Sequence, residues 1–174
     1  MVDSSCDLPS DYIQDNSIEI LPMPFDLDGK DYNAGYWGDI SAKEYYDALR
    51  NGSIAKTSQI NPAAFITTFK EYAGRGAELL YITLSSGLSS TFHNSIIAIQ
   101  TIKETYPNCG LYPVDSISAS SGAGLLAMLA VKKRAEGLSA AETAAWLEEK
   151  KHSCMGLFTV DDLMYLHRGG RLSK

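Results

Sequence analysis

The 174 residues, 45% of them hydrophobic, suffice for one sizeable core, and a formal net charge of −6 without a Lys/Arg cluster argues against non-specific nucleic-acid binding. The three cysteines (Cys6, Cys109, Cys154) show no CxxC or metal-like Cys/His spacing, which fits reduced thiols in a cytosol. No apolar run is long enough to span a bilayer, and Met1-Val2-Asp3 leads at once into polar residues, unlike a signal peptide.

In chain order, residues 1–5 read as the tail of a strand entering a hydroxyl turn, and Leu8-Pro9-Ser10-Asp11 opens a short helix reaching about residue 15. Residues 18–27 read as extended; Pro22 and Pro24 mark them as an edge strand, with Asp28-Gly29 as a hairpin turn and 30–32 as the return strand. Ser41-Ala42-Lys43-Glu44 is a capping box for a helix that buries Tyr45, Tyr46 and Leu49 and ends at Gly52. A short polar segment, 56–59, precedes a helix started by Asn61-Pro62, with Phe65, Ile66, Phe69 and Tyr72 inward and Gly74 as its stop.

Residues 79–84 form a continuous apolar run, the mark of a strand buried on both faces. It runs into Ser85-Ser86-Gly87-Leu88-Ser89-Ser90-Thr91, and a helical stripe follows at Leu88, Phe92, Ile96 and Ile99. One helix cap needs one hydroxyl, whereas five crowd these seven positions. The turn is neither a nucleophile elbow nor a Walker A loop, for it lacks a second glycine two residues after a serine and any Gly-Lys-Ser/Thr. A helix start with unpaired amides suits an anion.

A strand at 111–114 enters Asp115-Ser116-Ile117-Ser118, and Ser120-Ser121-Gly122-Ala123-Gly124 leads into an apolar helix to residue 135. The small residues there fit tight helix–sheet packing, and the missing third glycine discounts a dinucleotide site. Ser139 and Glu142 form a second capping box for a helix to about residue 152, with Ala141, Ala145 and Leu147 or Trp146 inward. A strand is expected over 155–160, then a short helix over 163–166 capped by Asp161-Asp162, and finally the basic, glycine-rich 167–174.

Alternating strands and helices predict an α/β fold, a mostly parallel sheet with helices on both faces. Ligands bind such sheets outside the carboxyl ends of the strands. The hydroxyl turns at Ser4-Ser5, Ser85-Ser86, Ser116 to Ser118 and Thr159 should share that rim and bind a small anionic or hydroxyl-recognised group. No Lys or Arg lies in these turns, which favours a carboxylate over a phosphate; Arg171 is the one late cation. Asp3, Asp115, Asp161 and Asp162 sit near strand ends without forming a general acid/base pair, and His93, His152 and His167 are isolated.

These residues resemble the DegV family of bacterial fatty-acid-binding proteins. The likeness is carried by Asp3-Ser4-Ser5-Cys6-Asp7-Leu8-Pro9, Lys56-Thr57-Ser58-Gln59, Ser85-Ser86-Gly87-Leu88-Ser89-Ser90-Thr91, Asp115-Ser116-Ile117-Ser118-Ala119-Ser120, and Asp161-Asp162-Leu163-Met164-Tyr165-Leu166 through Gly169-Gly170-Arg171-Leu172-Ser173. Ser90 departs from the glycine that many relatives carry. The resemblance implies a cytoplasmic lipid carrier with two α/β domains, a long-chain fatty acid as ligand, no cofactor or metal, and no stable membrane insertion. It also implies that a separate fatty acid kinase subunit does the catalysis, phosphorylating the presented carboxylate. Thr57 and Ser86 would bind that carboxylate, with Ser89 second to them and Arg171 near the head group.

On this reading residues 1–174 are the first domain, ending at the link to a second one that would supply the other wall of the acyl tunnel. Phe65, Ile66, Phe92 and Ile96 are candidates for the tunnel as well as for the core. The alternative is an enzyme acting on a small phosphorylated or keto substrate at the same rim. A third option is a regulatory interaction domain without ligand.

Overall fold

The computed structural model describes residues 1–34, 39–154, 156–157, 159–160 and 162–172. In chain order the strands are β1 (Val2–Asp3), β2 (Ile20–Leu21), β3 (Met23–Leu27), β4 (Lys30–Ala34), β5 (Ala55–Thr57), β6 (Leu79–Thr83) and β7 (Leu111–Asp115). The helices are α1 (Ser10–Asp15), α2 (Ala42–Arg50), α3 (Pro62–Gly74), α4 (Thr91–Thr105), α5 (Ser121–Ala135), α6 (Ala140–Lys150) and α7 (Leu163–Arg168). Four parallel strands in the order β2-β1-β6-β7 make the main sheet; an antiparallel sheet, β4-β3-β5, is inserted between β2 and β6.

The parallel sheet is covered on both faces, and the side-chain period of two divides its residues between them. Leu79, Tyr81 and Leu111 join Phe65, Phe69, Ala98, Ile99 and Ile102 of α3 and α4. Ile82 and Val114 join Ala123, Leu126, Ala127 and Leu147 of α5 and α6 on the other side. Both faces being apolar explains why β6 reads as an unbroken hydrophobic run. Phe65 packs with its ring tilted against Phe69 and edge-on to Tyr81, at centroid distances of 5.1 and 5.3 Å.

The helix starts form as the local sequence dictates. Ser41 and Ser139 each accept from the amide three residues on, while Glu44 and Glu142 reach back to the cap. Asn61 caps α3 by accepting from Ala64 N–H at 2.9 Å. The left-handed conformation after α3 belongs to Gly76, two residues beyond the expected stop at Gly74.

Four expectations are corrected. First, Pro24 lies in β3, the central strand of the antiparallel sheet, not in an edge strand. Its carbonyl accepts from Ser58 N–H at 2.9 Å, and pairing with β5 ends one residue further on, at Phe25 opposite Thr57. The proline nitrogen therefore faces a flank where no partner strand requires a donor. Second, α2 buries none of its residues: Tyr45 and Leu49 are half-buried and Tyr46 is exposed. Third, the buried face of α4 is Thr91, Asn94, Ser95, Ala98, Ile99 and Ile102; Leu88 precedes the helix, and Phe92 and Ile96 are only half-buried. Fourth, α6 buries Thr143 and Leu147, while Ala145 is exposed.

The strand expected over 155–160 falls partly on residues 155 and 158, and Asp161 of the expected cap pair is residue 161; all three lie outside the described residues. Among the described residues of 155–160 no strand is formed. Asp162 does cap α7, accepting from Met164 N–H at 2.8 Å.

Candidate functional site

The carboxyl ends of β1, β6 and β7 lie side by side, because these are consecutive strands of one parallel sheet. Two buried aspartates finish two of them. Asp3 accepts from the amides of Ser5 (3.0 Å) and Leu84 (2.8 Å), from the Ser5 hydroxyl and from the Tyr81 hydroxyl at 3.4 Å. It thereby ties the end of β1 to the end of β6. Burial, reinforced by the Asp3 charge, pushes the Tyr81 phenol well above its ordinary range, so it remains a donor. Asp115 accepts from Ser86 N–H at 3.1 Å and from Ile117 N–H at 2.9 Å, tying β7 to the serine turn.

The turn itself is closed on its own amides. Ser85 N–H donates to the Ser118 carbonyl, Leu88 and Ser89 N–H to the Ser85 carbonyl, Gly87 N–H to Ser85 Oγ and Thr91 N–H to Ser89 Oγ. The anion cradle of unpaired amides expected from the sequence is thus not what residues 85–89 present; side-chain hydroxyls are. Most of these hydroxyls have work inside the protein too. Ser4 Oγ accepts from Met23 N–H, Ser5 Oγ donates to Asp3, Ser89 Oγ lies 2.8 Å from Thr91 Oγ1, and Ser116 Oγ donates to the Ser118 carbonyl. Thr159 is exposed and stands at no strand end among the described residues. Around the turn, the hydroxyls of Thr57, Ser86 and Ser90 make no hydrogen bond among the described residues.

Thr57 reaches this place through α4. It is the last residue of β5, opposite Phe25. The chain beyond it is held where Thr91 Oγ1 accepts from Ile60 N–H at 3.3 Å and Asn94 Nδ2 donates to the Ile60 carbonyl at 2.8 Å. The polar start of the buried α4 face thus serves to fix the segment carrying Thr57 beside the serine turn. Arg171 arrives from the other side: its Nε donates to the Leu88 carbonyl at 3.3 Å and its guanidinium also to the Gly169 carbonyl.

The outcome is an open cleft of about 570 Å³ lined by Thr57, Gln59, the 86–90 turn and Gly169, Gly170 and Arg171. All four site residues singled out from the sequence line this one cleft. Gln59, Asp3 and Asp115 were not among them. The sequence marks the two aspartates only as carboxylates near strand ends, since nothing local distinguishes one that holds a loop from one that faces a ligand. The cleft lining holds no His, Lys, Asp or Glu among the described residues. His93 and His152 are exposed elsewhere, and His167 Nδ1 lies 3.2 Å from the Leu172 carbonyl. Among the described residues no group of three or more His, Cys, Asp or Glu is placed to hold a metal, and no helix is long and apolar enough to cross a membrane.

Of the four tunnel candidates, Phe65 is wholly buried core and Ile66 packs against the same cluster; Phe92 and Ile96 keep part of their surface. Gly124 and Gly122 serve close approach, as expected: a Cβ on Gly124 would lie 2.5 Å from the Cys6 carbonyl oxygen, and one on Gly122 2.0 Å from Ser118 Oγ.

The fold and cleft define an α/β protein that offers neutral hydroxyls and one arginine at the carboxyl rim of a parallel sheet. The chain belongs to the DegV family, whose model, described as an uncharacterised protein of that family, matches residues 1–174. A DegV domain-containing protein of Clostridium perfringens is 37% identical over 98% of this chain and 59% of its own length. Among solved structures, a DegV family protein from Thermus thermophilus, described by its fatty acid binding, superposes with a TM-score of 0.81 at 29% identity, covering 98% of this chain and 59% of that one. A stearic acid-binding protein from Eubacterium ventriosum gives 0.76 at 25% identity, covering 84% and 50%. The chain thus spans about three fifths of the curated relatives it matches, 59% and 60% for the first two.

Proposed function

We propose that this chain is the head-group-binding domain of a cytoplasmic fatty-acid carrier and is not itself an enzyme. A long-chain fatty acid is held by its carboxylate on the Thr57 and Ser86 hydroxyls. Ser89 and Arg171 flank the head group, and the acid is presented to a separate kinase subunit for acyl-phosphate formation. Residues 1–174 are then the first of two domains. The observation that carries this reading is that Thr57, at the end of β5, and Ser86, in the turn after β6, line one cleft with hydroxyls that have no partner among the described residues. Fatty-acid binding by the Thermus thermophilus relative supports the ligand, and the family resemblance supports the kinase.

The test is mass spectrometry of lipid extracted from the full-length protein made in bacteria. A co-purifying long-chain fatty acid is expected. A hydrogen bond to a charged group contributes about 1.5–3 kcal/mol, so Thr57→Ala and Ser86→Ala should each weaken loading roughly 10- to 100-fold. Finding no fatty acid, even after delipidation and reloading, would refute the proposal.

A further inference from the structure

The segment after β5 puts a second side chain into the cleft wall. Thr57 and Gln59 both line the cleft, and Ser58 between them does not. The reason is extended backbone: Ser58 N–H still bonds the Pro24 carbonyl at 2.9 Å, one residue past the end of β5, and in extended chain side chains two apart share a side. The far end of the segment is pinned too. Buried Ile60 gives its N–H to Thr91 Oγ1, and its carbonyl accepts from Asn94 Nδ2. Gln59 therefore stands on backbone held on both flanks, and its side-chain amide makes no hydrogen bond among the described residues.

The chemistry of the lining gives that amide a role. The hydroxyls of Thr57, Ser86 and Ser90 both donate and accept, so they can turn to serve an ionised acid or a neutral alcohol. Arg171, the one cation lining the cleft among the described residues, donates to the Leu88 and Gly169 carbonyls. Gln59 carries the one side-chain amide of the described lining, with two N–H donors on a single nitrogen. A hydrogen bond from such a donor to an ionised acceptor is about twice as strong as one to a neutral acceptor. Resting on the reading of the cleft as a carboxyl-binding site, we propose that Gln59 is a further head-group-binding residue, whose N–H groups bind the carboxylate and raise the cleft's preference for an ionised acid over a neutral alcohol of the same chain length. An acyl phosphate also presents ionised oxygens, so the same donors serve the acid before and after phosphorylation.

The experiment measures affinities of the delipidated full-length protein for palmitic acid and hexadecanol by calorimetry, at about pH 8 where carboxyl groups are ionised. The proteins are wild type, Gln59→Leu, Gln59→Glu and Ser58→Ala. Gln59 is exposed, so its substitution opens no core cavity. Wild type should prefer the acid. Gln59→Leu loses a charged bond to the acid but only a neutral one to the alcohol, so the acid-to-alcohol affinity ratio should fall roughly five- to tenfold. Gln59→Glu keeps the shape, repels the acid and accepts from the alcohol hydroxyl, so the ratio should fall further than in the leucine variant. Ser58→Ala should leave the ratio within about twofold of wild type, as expected of a surface change outside the cleft lining. An unchanged ratio in Gln59→Leu, a smaller fall in Gln59→Glu than in Gln59→Leu, or an equal fall in Ser58→Ala overturns the proposal. A wild-type protein that binds no palmitic acid defeats the carrier reading instead, so the two failures are distinguishable.

Discussion

Replacing Asp3 by alanine removes the acceptor for four donors at once. Two of these, on Ser5, are partly exposed and can turn to water. The other two cannot rehydrate as readily: Leu84 N–H is half-buried, and Tyr81 is 1% exposed. Each buried donor left unsatisfied costs about 1–3 kcal/mol. The Tyr81 bond, at 3.4 Å, is long and belongs at the low end of that range. Removing a buried carboxylate also recovers some desolvation cost, because the partners are neutral and no opposite charge is stranded. The expected loss is therefore about 1–3 kcal/mol. Asp3→Asn keeps one carbonyl acceptor but must turn an NH₂ toward one donor, so its loss should be about half as large. Urea unfolding followed by circular dichroism checks both, with the slope unchanged. A loss below about 0.5 kcal/mol for the alanine variant would refute the claim that Asp3 pins β1 to β6, since ordinary surface changes fall in that range.

Gly124→Ala would place a methyl 2.5 Å from the Cys6 carbonyl oxygen and 3.3 Å from Leu8 Cδ2, so α5 must move away from the β1 turn. The cost should be about 1–3 kcal/mol, read as a lowered melting temperature. Glu142 is held below its ordinary value of 4.5, chiefly by the hydrogen bond from the Ser139 hydroxyl and then by the Ser139 amide. Its folded value lies below its unfolded one, so its stabilisation is complete above the unfolded value and vanishes as pH falls through the folded one. An NMR titration should show a midpoint below 4.5 that returns toward the ordinary value in Ser139→Ala.

Much of this molecule was legible in its sequence, because the signals are local. The two capping boxes, Asn61-Pro62, the apolar run of β6 and the hydroxyl turn each act within a few residues, and each forms where the residues alone place it. The alternation of such elements suffices for a parallel α/β architecture. Bringing Thr57 and Arg171 toward Ser86 is a different matter: Thr57 is marked by the family resemblance alone and Arg171 otherwise only as the one late cation, since no spacing along the chain relates them to Ser86.

Tertiary structure decided what depends on distant partners. Pro24 sits in a central strand because β5 ends beside it. Thr91 and Asn94, polar residues outside the apolar stripe of Leu88, Phe92, Ile96 and Ile99, turn inward and bond the Ile60 backbone. A run of hydroxyls announces that donors are plentiful, but which of them are consumed by Asp3, by Met23 or by one another depends on chain segments far away in sequence. Folding satisfies the Ser4, Ser5, Ser89 and Ser116 hydroxyls elsewhere and leaves those of Thr57, Ser86 and Ser90 in the cleft unpaired among the described residues.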